Sequence, residues 1–448
     1  MTSAFQELLS FADQDDPYAF NGPEIEELAL TAGGDRFEEQ RERIPALHQR
    51  ASEVGTTAIR QIEDLVPLLL SHTTYKSYPA SFVEQRRWDR LAVWLGTVSA
   101  AEVRGLDFTD VEDIDGWIER LQSAGHFPMV SSGTTGKSSF LYNSADDLDR
   151  VLFLSARQTG WPGKVLPFRN DRIVISLMPG EGATAGAYGH VGKTRFYARP
   201  GEAYCIRESP RLADMSRIAA TRRAIASGTA TPAEVAAFEA EARQRAERMT
   251  KAVAELADLV IAHRREPVLF AGLFAYAWQV MQRGLELGIP DGEFNSETVL
   301  GLGGGLKGAT LPDGWWDQMQ RWFAPARPML RYGMSEISSP CQLCESGFYH
   351  VPPWLILLMV DESGEALLPR VGQVTGRVAF YDPMLEGRWG GIVSGDKATA
   401  HFGGCECGRP GPVIESGVVR YGEGSAGADD KLSCSASVEA YVRDSVGE

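Results

Sequence analysis

Residues Ser131-Ser132-Gly133-Thr134-Thr135-Gly136-Lys137-Ser138 gather five hydroxyls, two glycines and a lysine in one short stretch. The glycines let the backbone come close to a ligand. Main-chain N–H groups, the hydroxyls and the Lys137 ammonium can then cradle phosphate oxygens. The stretch is not a Walker A loop, because that spacing needs glycine where Ser131 stands. A flexible Ser/Gly linker is the competing reading. The apolar segment Phe127-Pro128-Met129-Val130 just before it, and the lysine within it, favour the cradle. A second concentration of chemistry lies downstream, where four of the six cysteines form two tight pairs, Cys341-x-x-Cys344 and Cys405-x-Cys407. Four thiolates suit a tetrahedral zinc ion. Buried thiols without a metal are the alternative. His350 is read either as a substitute ligand or as a loop residue bonded to backbone. His190 follows a core strand and the glycine-rich turn Gly180–Gly189. It could hold a substrate carboxylate or an aromatic ring, or be purely structural.

The elements that must position these groups can be read from periodicity. Residues 1–125 are mostly helical; Leu47, Ala51, Val54, Ala58, Ile62 and Leu65 predict one helix over Ala46–Val66, started by Pro45 and stopped by Pro67. Asp146–Gln158 reads as helix and Asp171–Pro179 as a buried strand. Residues 209–263, rich in Ala, Glu and Arg, read as a helix pair with a capping signal at 229–234. From residue 267 strands and helices alternate: PVLFAGLF, then a helix over Ala275–Leu287, then SETVLGLGG, a helix near Gly314–Phe323, and PMLRYGMSE. That order indicates a largely parallel α/β sheet. Residues 355–425 hold short strands with many turns. Phe270, Phe274, Trp278, Trp315 and Trp316 are read as core or helix surface.

Composition bounds the function. With 448 residues, 44% hydrophobic and 23% charged, the chain is neither disordered, collagenous nor a coiled coil. No apolar run reaches the roughly 18 residues a membrane span needs. The net charge of −16 disfavours nucleic acid as a partner but leaves room for a small anion on backbone N–H groups. The first residues lack a basic region, so no signal peptide and a cytoplasmic location are expected.

The hydroxyl–glycine loop resembles the phosphate-binding signature of the adenylate-forming superfamily (acyl-CoA ligases, peptide-synthetase adenylation domains and luciferases). Three further segments match in order. Gly303-Gly304-Gly305 resembles the glycine turn that lines the nucleotide and acyl pocket. Tyr332-Gly333-Met334-Ser335-Glu336 resembles the family's Y-G-x-[ST]-E, and Ser394-Gly395-Asp396 its T-G-D. The resemblance implies that Tyr332 packs on adenine, Ser335 touches the α-phosphate, Glu336 binds Mg²⁺ and Asp396 holds the ribose hydroxyls. Within the superfamily, the series from GGGLKG (303–308) to CECGRPG (405–411) is similar to the acyl-protein synthetases of bacterial luciferase systems and to short enzymes of phenazine-type antibiotic pathways. It is more distantly similar to phenylacetate–CoA ligases.

The expectation is therefore an α/β adenylate-forming large domain with parallel sheets flanked by helices and a smaller β-rich subdomain. Its parts would be a helical leader (1–125), an α/β core (126–345) and a β-rich piece (346–448). Only a short tail follows the hinge-like Asp429-Asp430-Lys431, so the small C-terminal domain is expected to be absent. Lys307 or Lys137 would then stand in for the lysine that domain carries. Cys434 matches in place the C-terminal cysteine that receives the acyl group in acyl-protein synthetases, with an inert thiol as the alternative. The implied function is ATP-dependent adenylation of a carboxylic acid, aryl or biosynthetic, with release of pyrophosphate and transfer to CoA, a carrier-protein thiol or an amine. A non-catalytic adenylate-binding or acyl-delivery protein is the other reading.

Overall fold

The structure is a computed structural model that describes residues 3–131, 137–208, 211–303, 310–421 and 441. These fall into two compact units. One unit takes the described residues up to Ser131, residues 137–157 and the described residues from Tyr332 onward; the other takes the described residues from Gln158 to Arg331. The chain thus leaves the first unit at Arg157 and re-enters it at Tyr332.

The second unit is built on five parallel strands. Their order across the sheet is Arg327–Tyr332, Val299–Gly303, Val268–Leu273, Arg172–Pro179 and Ala198–Ile206. The inner three strands are buried on both faces, so they read as continuous apolar runs. The helix Ala185–Tyr197 connects Arg172–Pro179 to its edge neighbour Ala198–Ile206. The pair Leu212–Ala226 and Pro232–Ala262 then carries the chain back across the sheet. The longer of the two starts in a capping box, with the Thr231 hydroxyl accepting from the Glu234 N–H and the Glu234 carboxylate accepting from the Thr231 N–H.

The first unit is organised on an antiparallel sheet ordered Ile356–Val360, Gly372–Tyr381, Gly391–Phe402, Val413–Glu415, Phe348–His350, Cys341–Leu343. Leu70–Ser71 joins it in parallel along Gly391–Phe402, so the N-terminal helical region is hydrogen-bonded into this sheet. Side chains add to that tie. The Gln40 amide, 1% exposed, donates to the carbonyls of Leu385, Glu386 and Arg388, and the Tyr381 hydroxyl donates to Gly33. A separate hairpin pairs Met129–Ser131 with Ser139–Leu141.

One expected helix is divided. Pro45 does start a helix, but it ends at Val54, where Gly55 takes a left-handed φ of 72° and caps it. The remaining apolar positions are used by a 3₁₀ segment, Ile62–Leu68, with Pro67 inside it rather than beyond it. Glycine at C′ is the usual helix stop, and it outweighs a continuing apolar spacing. Among the described residues no helix is long and apolar enough to cross a membrane.

Removing the Gln40 amide would leave buried carbonyls without their donor. Gln40→Leu is expected to destabilise the protein by about 1–3 kcal/mol, seen as a lower melting temperature. An unchanged melting temperature would show that these bonds do not hold the leader to the sheet.

Candidate functional site

Tyr332 ends a strand and enters the first unit, and Asp396 lies mid-strand in Gly391–Phe402. The Tyr332 hydroxyl donates to Asp396 Oδ2 at 2.9 Å, and Arg420 Nε lies 3.3 Å from Asp396 Oδ1. Arg420 is brought there by strand pairing, directly opposite Asp396. The Asp396 N–H donates to the Ser394 hydroxyl, itself anchored on the Val378 carbonyl. The Tyr332 ring packs against Tyr349 and Phe380, with centroids 5.8 and 6.5 Å away. Burial, and then the Asp396 carboxylate, hold the Tyr332 phenol well above its ordinary range, so it is a neutral hydrogen-bond donor.

Glu336 follows four residues after Tyr332. Burial pushes its carboxyl above the usual range; Arg388 and Arg420 oppose that rise and Asp396 adds to it. Glu336 and Asp396 therefore sense each other, and among the described residues the Glu336 carboxylate makes no ion pair. The loop is braced by Arg388, 1% exposed, whose Nη2 donates to the carbonyls of Ser335 and Glu336 at 3.2 and 3.3 Å. Its Nη1 donates to the Tyr142 carbonyl and Asn143 Oδ1 at 2.8 and 2.5 Å. Gly333 sits where a β-carbon would press Pro340 at 2.9 Å, so the loop turns tightly. Met334 and Ser335 are half-buried in the same turn.

Of the phosphate-loop candidates, Ser131 closes its strand, with its hydroxyl accepting from the Ser139 N–H at 3.3 Å. Ser138 gives its carbonyl to the Tyr78 hydroxyl at 2.9 Å. The Lys137 ammonium donates to the Tyr78 carbonyl and lies 4.4 Å above that ring. Ser132, Gly133, Thr134, Thr135 and Gly136 lie outside the described residues, as do Gly304, Gly305, Lys307 and Cys434.

The cysteine pairs need a correction. Cys344, Cys405 and Cys407 converge with His350, all four ligand atoms within 4.8 Å of one another, and Cys341 is not in the group. Strand geometry explains the exchange. Cys341–Leu343 is extended, so side chains three positions apart point to opposite faces. His350 pairs directly with Gln342, which puts it on the face that Cys344 shares. Cys341 instead is fully buried near Tyr18, Tyr332 and Tyr349, and burial pushes its thiol up. The signal that could have found His350 is the alternation of F-Y-H across a hairpin. Arg388 carries no comparable local signal.

His190 lies inside the helix Ala185–Tyr197, which already begins within the stretch Gly180–Gly189 expected as a turn. Its Nδ1 pairs with the Ser176 hydroxyl at 2.9 Å and its Nε2 lies 3.4 Å from Thr194 Oγ1. Burial, then the Lys193 ammonium, hold its pKa below 6.5. The folded state thus refuses a proton that the unfolded chain accepts near 6.5. Stability present above that pH is lost as pH falls through it. Denaturation at pH 7.5 and 5.5 should show this loss, smaller in His190→Gln; an equal loss in the variant would remove His190 as a source.

No protein-family model matches the sequence, and no curated protein matches it. Among solved structures, 2-hydroxyisobutyryl-CoA ligase in the postadenylation state with 2-HIB-AMP aligns at TM-score 0.52 and 13% identity, over 90% of this chain and 69% of that one. An open conformation of the same ligase with 2-HIB-AMP and CoA aligns at 0.51 and 13% identity, over 88% and 69%. A likeness at this identity is one of fold. It agrees with the α/β architecture: this chain shares the fold of these ligase structures.

Proposed function

We propose that the protein activates a carboxylic acid with ATP, forming an acyl-adenylate and releasing pyrophosphate, and then passes the acyl group to a thiol or amine. The observation that carries this reading is the meeting of Tyr332, Glu336 and Asp396 in one unit, from segments about sixty residues apart, on an adenylate-forming fold. Asp396 spends one contact on Tyr332 and one on Arg420, and a carboxylate has roughly four acceptor positions. Two remain for the ribose hydroxyls, in charge-assisted bonds whose direction the two partners fix. Tyr332 offers its ring edge or face to adenine. Glu336, a partly buried carboxylate without an ion-pair partner among the described residues, has the chemistry of a Mg²⁺ ligand. Bound there, Mg²⁺ would supply charge neutralisation for the phosphates. Lys137 and the hydroxyl–glycine loop would hold the phosphates, and Ser335 the α-phosphate. A carboxylate oxygen attacks the α-phosphorus, the bond to the pyrophosphate oxygen breaks, and the gain is chiefly positioning and electrostatics. CoA, a carrier-protein thiol and an amine are the acceptor classes.

Cys344, His350, Cys405 and Cys407 are proposed to hold a structural zinc ion. In a tetrahedral site with Zn–S near 2.3 Å, sulfurs stand about 3.8 Å apart. The Cys344–Cys405 separation is 3.8 Å and the Cys407 Sγ to His350 Nε2 separation 3.3 Å. The group ties the segment after the Tyr332–Glu336 loop to the end of the strand that carries Asp396.

Glu336→Ala is expected to abolish acid-dependent ATP–pyrophosphate exchange, and Asp396→Ala to weaken ATP binding about tenfold or more. Exchange at the wild-type rate in Glu336→Ala would show that the metal assignment is wrong. Tight AMP binding without exchange for any acid would favour a binding protein. For zinc, chelation should lower the melting temperature and metal analysis should find one equivalent, reduced in Cys407→Ser. A metal-free protein whose melting is indifferent to chelator would refute the site.

A further inference from the structure

Three successive residues of the strand Gly391–Phe402 are each held by a group from another segment. Arg377 Nη1 donates to the Ser394 carbonyl at 3.0 Å, the Tyr421 N–H donates to the Gly395 carbonyl at 2.9 Å, and Arg420 Nε lies 3.3 Å from Asp396 Oδ1. Arg420 and Tyr421 belong to one short strap, in which Val419–Arg420 pairs antiparallel with Lys397 and Asp396. The first two side chains of the strap give it little apolar hold: Val419 is 52% exposed and the Arg420 side chain 59%. An ion pair so exposed contributes little by itself. The aim of Arg420 therefore depends on where the backbone of the strap lies.

Tyr421 fixes that backbone. Its half-buried ring lies over the Arg377 guanidinium, with Cζ 4.0 Å from the ring centroid. Arg377 is buried and is itself held, with Nε and Nη2 donating to the Glu362 carbonyl at 3.1 and 2.9 Å. A guanidinium donates in its own plane, so these bonds leave its face to an aromatic ring. A desolvated cation over a ring is attracted more strongly than an exposed pair. Arg377 stands opposite Lys397 in the neighbouring strand, and Lys397 pairs with Val419 along its other edge. The arginine and the tyrosine thus come from opposite sides of Gly391–Phe402 and meet across it, one residue from Asp396.

We propose that Tyr421 is a positioning residue for the nucleotide: stacked on Arg377, it clasps the strap across Ser394–Asp396, so that Arg420 and Tyr332 together aim the Asp396 carboxylate at the ribose hydroxyls. That the ligand is a nucleotide rests on the adenylation reading; the clasp itself does not. The coupling is reciprocal. A closed strap favours the nucleotide, and the nucleotide favours the closed strap.

The test is calorimetric binding of AMP and of dideoxy-AMP, which lacks both ribose hydroxyls, to the full chain as wild type, Tyr421→Ala and Tyr421→Phe. Tyr421→Ala should weaken AMP about tenfold and leave dideoxy-AMP unchanged, whereas a merely structural tyrosine would move both. Tyr421→Phe keeps the ring and should bind AMP within about twofold of wild type. In the wild-type protein AMP should slow hydrogen exchange at the Tyr421 amide, a readout that needs no variant. Unchanged or tighter AMP binding in Tyr421→Ala, equal losses for AMP and dideoxy-AMP, a Tyr421→Phe as weak as Tyr421→Ala, or exchange at Tyr421 indifferent to AMP would overturn the clasp. Pyrophosphate exchange separates the two readings. AMP binding alike in all three forms, with acid-dependent exchange, rejects the clasp and leaves adenylation standing. A loss confined to AMP in Tyr421→Ala, with no exchange for any acid in the wild type, keeps the clasp and rejects adenylation. No binding of AMP or ATP to the wild type overturns both.

Discussion

The buried guanidinium of Arg388 is the constraint on which the candidate site depends. It spans two segments: Nη1 holds Tyr142 and Asn143, and Nη2 holds the carbonyls of Ser335 and Glu336. A fully buried arginine is tolerated only where several fixed acceptors surround it, and here the acceptors are the loop that must present Glu336. The backbone of Arg388 is held in turn. Gln40 donates to its carbonyl, and Asp147 accepts from the N–H groups of Glu386 and Gly387 at 2.8 and 2.6 Å. The N-terminal helices therefore act on the site through one turn.

The electrostatics of the first unit follow from that brace. Glu336 is placed where burial works against its charge, close to a second carboxylate, and Arg388 and Arg420 offset only part of the cost. Such a site gains most from an added cation. Asp396 differs, because Tyr332 and Arg420 orient both its oxygens and keep it ready to accept more hydrogen bonds. Two carboxylates near each other thus have separate environments.

The parallel strands and the capped helix pair were legible in the sequence. Apolar runs bounded by turn residues and the Thr231–Glu234 capping box are local signals, fixed by side-chain chemistry within a few positions. What lies across strands was not legible. Cys341 and Cys344 look equivalent as a C-x-x-C pair, and only an extended backbone turns one inward and leaves the other beside His350. Gly55 ended a helix that apolar spacing would have continued, and Arg388 looks like any arginine until its acceptors are assembled around it. Residue types limit which bonds can form; register and burial, set by distant segments, decide which of them do.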